Sequence, residues 1–337
     1  MIGIVYIIIS HLYEYTDSIG WYLNSGNFLK NNMILDHLFS NYLISNNYLY
    51  ILNFIFILSK ISFFNTNLIF NFFSSIGLVF FYYSLIKYRI SEKLNTKNVI
   101  LLFFFLSPSF MFWTSGISKD SLIFFFCSFM IYTLDRNGKK NYFIIILLIF
   151  FIYFIRPYIG IIFILSFIFY LILFYLPRKY FFSLLFILGI IFLYNYNNLI
   201  YIFNKIISYR YMLLDSYDNT YLGISKDMNF VFRSINFFIS PFFFNTKNNF
   251  MLIIISFENL FLLIFLISLF INFRFNLFLK KKNNIDWFIL IYILLATVFL
   301  SQTTSNLGIA FRQKWMIIPF LIYFLIKYQD KLVKKIF

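Results

Sequence analysis

The chain is predicted to be all-α, a polytopic transmembrane helical bundle, and three observations carry that prediction. Of 337 residues, 62% are hydrophobic and only 12% charged, with a mean hydropathy of +0.83, too little polar surface to cover a soluble globule of that length. The apolar residues are gathered into runs, and the basic residues punctuate those runs, as membrane orientation requires. A single long hydrophilic loop, at about 201–250, breaks the series. The net charge of +16 would suggest nucleic acid in a soluble protein; here it belongs to the membrane, and no nucleic-acid partner is expected. The excess of Phe, Ile, Asn, Tyr and Lys fits the drift of an AT-rich genome, so the Phe content is not read as function.

Residues 2–12 are apolar but shorter than the roughly 20 residues that cross about 30 Å of hydrocarbon. Glu14 and Asp17 follow at once and no small-residue cleavage pattern is present, so a cleaved signal peptide fits poorly. The segment is either a short or tilted first span, or part of one that begins upstream. Residues 13–47 are polar and aromatic, and 48–64, which contains Lys60, is an interfacial or re-entrant segment. The first full span is 67–86. Further spans are expected at 99–114, 121–134, 142–155, 159–176, 180–200, 251–273, 286–301 and 315–327, about ten in all counting the first. The 201–250 loop holds Tyr, Asp and Arg residues and is expected to carry short helices lying on the membrane surface. With no internal repeat and no soluble domain, residues 1–337 read as one integral membrane domain.

Lys and Arg counts orient this map. Segments 87–97, 135–141, 177–179, 274–285 and 327–337 hold 17 of the 28 basic residues and fall on one side if the spans alternate, so that side is cytoplasmic. The chemically suggestive residues then collect on the other side: Asp17, the turn at 115–120, Arg156, the long loop and Arg312.

The stretch 108–120, PSFMFWTSGISKD, separates two apolar runs with a small-residue turn bearing Lys119 and Asp120. Polar backbone and charge at the end of a span are tolerated where they meet water or line a protein cavity. The same residues also fit a plain helix cap, with Ser118 or Asp120 taking the free N–H groups of the next helix. Arg156 stands in Arg156-Pro157-Tyr158, and Arg312 ends the turn that starts at Asn306. Cations with Gly and Ser backbone between helix ends suit a phosphate or diphosphate. The competing reading is snorkelling plus charge pairing, Lys119 with Asp17 or Arg156 with Asp120.

Acidic residues are scarce. Asp17 is placed to act as general base toward a hydroxyl, or to serve as a turn or cap aspartate. Glu258 lies inside an apolar run, where a charge is costly unless paired; Arg312 or Arg156 is its expected partner. Asp215, Asp218 and Asp227 are further acid–base candidates in the long loop. The one cysteine, Cys127, is read as a small apolar residue, and His11 and His37 lack partners at ligand spacing, so no metal site is expected. Neither a Walker motif nor a Gly-rich dinucleotide loop is present, and no cofactor is expected.

The elements TDSIGWYLNSG, PSFMFWTSGISKDSLIFF, IRPYIGI, SPFFFNTKNNFMLIIISFEN and TSNLGIAFRQKWMIIPF occur in an order that resembles the Wzy-type repeat-unit polymerases of O-antigen and exopolysaccharide. More distantly, they look like membrane glycosyltransferases of the GT-C class. The most specific parts are Trp-x-Ser-Gly-x-x-Lys-Asp, from Trp113 to Asp120, and Asn-x-Gly-x-x-x-Arg, from Asn306 to Arg312. The resemblance implies a GT-C/Wzy-like fold in a bacterial cytoplasmic (inner) membrane and a reaction at its outer face on a glycan carried by a polyprenyl diphosphate. By position, Lys119, Arg156 and Arg312 would hold the diphosphate or leaving group, with Asp17 matching the acidic residue after the first span. Ser115, Gly116, Trp113, Asp120, Tyr158, Asn306 and Glu258 complete the candidate set, and Tyr22, Tyr209 and Tyr211 offer further aromatic faces for sugar rings. The first span is shorter than the family's and the large hydrophilic domain of many GT-C enzymes is absent, so the polymerases are the closer analogy. The implied partners are the lipid-linked glycan, the bilayer and other polysaccharide-assembly proteins. The rival readings are a transporter or flippase of the same lipid-linked sugar, and a non-catalytic member of the assembly complex.

Overall fold

In the computed structural model, residues 61–86, 107–114, 116–137, 142–175, 230–240, 250–280, 284–304 and 307–328 are described. These residues are helical apart from the turns between helices, with no strand among them. The helices are α1 (Phe63–Ile86), α2 (Pro108–Thr114), α3 (Lys119–Asn137), α4 (Tyr142–Ile155), α5 (Pro157–Tyr175), α6 (Phe230–Ile239), α7 (Phe250–Ile271), α8 (Phe275–Lys280), α9 (Asn284–Thr303) and α10 (Leu307–Lys327). Four stretches among the described residues are long and apolar enough to cross a membrane: Phe63–Ile86, Pro157–Phe174, Ile285–Thr303 and Ile309–Lys327. Two further apolar stretches, Tyr142–Ile155 and Ile255–Ile271, are shorter. The expected segments at 2–12, 48–60, 99–106 and 180–200, and most of the 201–250 loop, lie outside the described residues.

The apolar helices turn large side chains outward. Phe143, Phe150 and Phe154 of α4, Leu165 and Ile168 of α5, and Phe261 and Ile264 of α7 are exposed. Exposed large apolar side chains in such number are a liability in water and the expected lining against lipid.

Helix boundaries follow local chemistry. Ser118 caps α3: its Oγ accepts the N–H of Ser121 at 3.3 Å and donates to the Trp113 carbonyl at 2.6 Å. Asp120 in the first turn of α3 and Arg136 in its last complement the helix dipole. Between α4 and α5, Arg156 is non-helical. Its carbonyl accepts the N–H groups of Ile159 and Gly160, both at 3.0 Å, and Pro157, which has no N–H to satisfy, opens α5. Gly160 is required by the sharp join, since a Cβ there would lie 2.4 Å from Tyr153 Cα.

One expectation is corrected. The stretch from Asn306 to Arg312 was read as a turn ahead of a span at 315–327, but α10 starts at Leu307 and includes Arg312, Gln313 and Lys314. Polar side chains do not end a helix in an apolar setting when the protein supplies partners. Gln313 Oε1 accepts from Thr304 Oγ1, and Lys314 is fully enclosed and hydrogen-bonded.

The chain divides into two compact units. The first takes the described residues within Met1–Phe163, Phe265–Lys281 and Trp315–Phe337. Here α1 packs along α3. Gly77 lets the backbones close in, its position for a Cβ being 3.0 Å from Phe125 Cα, and Phe80 stacks on Phe129 at 4.7 Å. On another side of α3, Phe126 stacks on Phe151 of α4 at 5.4 Å. Cys127, Met130 and Ile131 are fully buried, so Cys127 is the apolar filler its context suggests. At the far end of α3, Tyr323 donates to Asp135 at 3.0 Å and Lys327 donates to Tyr323 at 3.1 Å. The second unit takes those within Ile164–Ile264 and Lys282–Lys314. There α6 lies on α9, and Phe167 and Tyr170 of α5 meet Phe288 of α9 edge-on at 6.0 and 6.3 Å.

Candidate functional site

In the first unit, polar groups converge on the start of α3. The turn after α2 carries Gly116, Ile117 and Ser118, all buried, so it is part of the bundle and not a surface loop. Asn67 of α1, itself buried, accepts the backbone N–H of Ile117 on its Oδ1 at 3.0 Å and donates to the Phe63 carbonyl at 2.9 Å. With Ser118 capping the helix, the turn is fixed from both sides. A buried backbone N–H without such a partner costs about 1–3 kcal/mol.

This fixed turn presents Asp120 to Arg156. Nη2 of Arg156 donates to Asp120 Oδ1, Nη1 donates to the Tyr158 hydroxyl at 2.5 Å, and both Asp120 and Arg156 are 8% exposed. The guanidinium carbon also lies 5.9 Å from the Tyr158 ring centroid. Burial opposes the Arg156 charge, but Asp120 and Tyr158 outweigh it and hold the guanidinium pKa above its ordinary value. The buried Nε has no hydrogen-bond partner among the described residues. Asp120, Arg156 and Tyr158 therefore form one cluster, and the pairing of Arg156 with Asp120, raised from the sequence as the competing reading, is what the structure shows. Asp120 thereby holds Arg156.

The other sequence candidates are more dispersed. Lys119 is partly exposed at the first residue of α3, and Trp113 is partly exposed near the end of α2. Arg312 is partly buried on α10, in the second unit. Asp17, Ser115 and Asn306, with Tyr22, Tyr209 and Tyr211, lie outside the described residues. No group of His, Cys, Asp or Glu among the described residues has the arrangement of a metal site.

The second unit holds a polar centre that the sequence reading missed. Lys314 of α10 is wholly buried, and its Nζ donates to the carbonyl of Phe238 at 3.0 Å, to the carbonyl of Ser240, and to Asn259 Oδ1 at 3.0 Å. Three acceptors match the three N–H groups of an ammonium. Asn259 Nδ2 in turn donates to the carbonyl of Ile239, and Glu258 beside it acts on Lys314 electrostatically. A signal was present in the sequence, since Glu258-Asn259 interrupts an apolar run and demands a cationic partner. Lys314 is a cation on which Glu258 acts, beyond the Arg312 or Arg156 expected from the sequence.

No protein-family model, curated protein or solved structure matches the chain.

Proposed function

We propose that the chain is a membrane glycosyltransferase or repeat-unit polymerase of bacterial surface polysaccharide: O-antigen, capsule or exopolysaccharide. In this reading it has about ten spans in the cytoplasmic membrane and acts at the outer face on sugars carried by a polyprenyl diphosphate. The observation that supports it is the arginine at the α4–α5 junction. Arg156 is anchored by Asp120 and Tyr158 with its buried Nε N–H still without a partner among the described residues, and an oxygen of a diphosphate would satisfy that donor.

The reaction asks little covalent chemistry of the protein. The acceptor hydroxyl oxygen bonds to the anomeric carbon of the lipid-linked sugar and the bond from that carbon to the diphosphate oxygen breaks. The diphosphate leaves with the electron pair. Arg156 and Lys119 stabilise the charge that develops there, and Asp17 takes the hydroxyl proton. Asp17 and Lys119 enter from the resemblance of their motifs, Arg156 from both the motif and the geometry; Arg312 is assigned to the diphosphate by its motif alone.

Deleting the coding sequence tests the reading. Surface glycan reduced to single repeat units is the expected result. Loss of all surface units, with lipid-linked units retained inside, would make the chain a flippase, and unaltered glycan would end the polysaccharide assignment.

A further inference from the structure

Helix α6 is amphipathic in the inverted sense. Arg233 and Ser234 face α9, where Arg233 Nη1 donates to Gln302 at 3.4 Å and the Ser234 and Ser301 hydroxyls are 3.0 Å apart, and Phe237 is buried. The opposite stripe, Val231, Phe232 and Ile235, is exposed by 59%, 64% and 48%. On α9, against which α6 packs, Leu294, Val298 and Phe299 of a candidate span are exposed as well. A helix at a water surface carries its polar face outward; this one turns it inward.

Its carboxy-terminal end gives a second and independent indication. The last carbonyls of a helix have no partner within it and at a water surface are left to solvent. Here the carbonyls of Phe238, Ile239 and Ser240 are taken by Lys314 Nζ and Asn259 Nδ2, from buried positions on α10 and α7. Ser240 closes the turn, its N–H on the Asn236 carbonyl at 2.8 Å and its Oγ on Asn236 Oδ1 at 2.7 Å. Backbone that ends a helix at membrane depth is tolerated when protein groups satisfy it in this way.

We infer that α6 is a re-entrant half-helix whose Val231, Phe232 and Ile235 stripe lies in the acyl chains of one leaflet and whose end is capped inside the protein by Lys314 and Asn259. Its 10 residues span about 15 Å, half of a hydrocarbon core of about 30 Å. The 201–250 stretch is then not wholly a surface loop: α6 enters the membrane and stops. This holds whatever reaction the chain performs, since it rests on α6 and its capping groups alone.

The test uses the full chain with Cys127→Ala, reconstituted in phosphatidylcholine–phosphatidylglycerol vesicles, with a nitroxide attached through Val231→Cys, Phe232→Cys or Ile235→Cys in turn. Collisions with oxygen should exceed those with an aqueous nickel chelate at all three positions. Dominance of the chelate would place the stripe in water, and shielding from both probes would place it against protein; either result overturns the assignment to lipid. Adding Lys314→Met to the Phe232 label should raise label mobility and chelate access at least twofold, with Lys314→Arg closer to the parent. Unchanged mobility and access in Lys314→Met would overturn the capping role. If Lys314→Met does not accumulate, the three labels in the parent background still decide the location.

Discussion

The carboxylate of Asp120 accepts a hydrogen bond from Arg156, fastening the first turn of α3 to the α4–α5 junction 36 positions later. Removing either partner strands a buried charge, at a cost of about 3–5 kcal/mol, whereas replacing both with apolar groups removes the need for the pair. Asp120→Leu and Arg156→Met should each lower the unfolding midpoint in detergent, and the double substitution should recover most of the loss. Simply additive losses would show that the two groups are not coupled in the folded protein.

Arg156→Lys keeps a charge at the junction but not the guanidinium's several fixed N–H directions. Polysaccharide output should fall about tenfold to a hundredfold, the loss expected for one charge-assisted hydrogen bond worth about 1.5–3 kcal/mol. Arg312→Lys should behave alike, and Asp17→Asn should do so with almost no change in volume. Chain length on gels at matched expression is the measurement. Near-normal chains from all three would leave the arginines as structural and interfacial groups.

Asn67 is the only described side chain seen to accept the buried Ile117 N–H, and Asn67→Leu should cost about 1–3 kcal/mol, more than the lost amide's own packing. Asn67→Asp, measured at a pH low enough to keep the buried carboxyl protonated, retains both the acceptor for Ile117 and a donor to the Phe63 carbonyl and should be milder in its effect on the turn. Unfolding midpoints that rank the two the other way would show that the bond does not hold the turn.

The glycines make a paired prediction. At Gly160 an added Cβ meets Tyr153 backbone at 2.4 Å, while at Gly77 it meets Phe125 Cα at 3.0 Å. Gly160→Ala should destabilise by about 1–3 kcal/mol, the range for overpacking, and Gly77→Ala by less. Equal effects would mean that the α4–α5 join relaxes freely.

Orientation is tested within the first unit at two exposed polar positions. With Cys127→Ala as background, Asn65→Cys near the start of α1 should react with an impermeant maleimide from outside intact cells. Asn272→Cys, just past α7, should react only after permeabilisation. Reaction of both from one side would overturn the orientation drawn from the basic residues.

Helices were legible from the sequence where apolar runs are long and bounded by local signals. Ser118 and Asp120 mark the start of α3 and Pro157 marks α5, and both lie within two residues of the expected bounds. The start of α10 was misread because Arg312-Gln313-Lys314 looks like solvated sequence. Only the fold reveals that Thr304, Asn259 and the carbonyls of 238 and 240 are waiting for Gln313 and Lys314. The same reason hid Asn67, an amide in the first turn of a span whose partner is a backbone group 50 positions away. Asp120 and Arg156 could be named as a possible pair, since both stood at outer turns; their burial could not, because hydropathy places a charge at a boundary and does not say how deep the boundary runs.

Helix α4 offers lipid only 14 residues, from Tyr142 to Ile155, about 21 Å of apolar length against about 30 Å of hydrocarbon. Its deficit is hydrophobic mismatch, relieved by local thinning of the bilayer or by snorkelling of flanking residues at a modest cost per ångström. The Asp120–Arg156 pair sits at the end of that short helix as a net-neutral couple, so it tolerates the acyl-chain level better than a lone cation would. If α4 crosses the membrane, the bilayer is expected to draw in toward it, and lipids with shorter acyl chains should fit this side of the protein with less deformation.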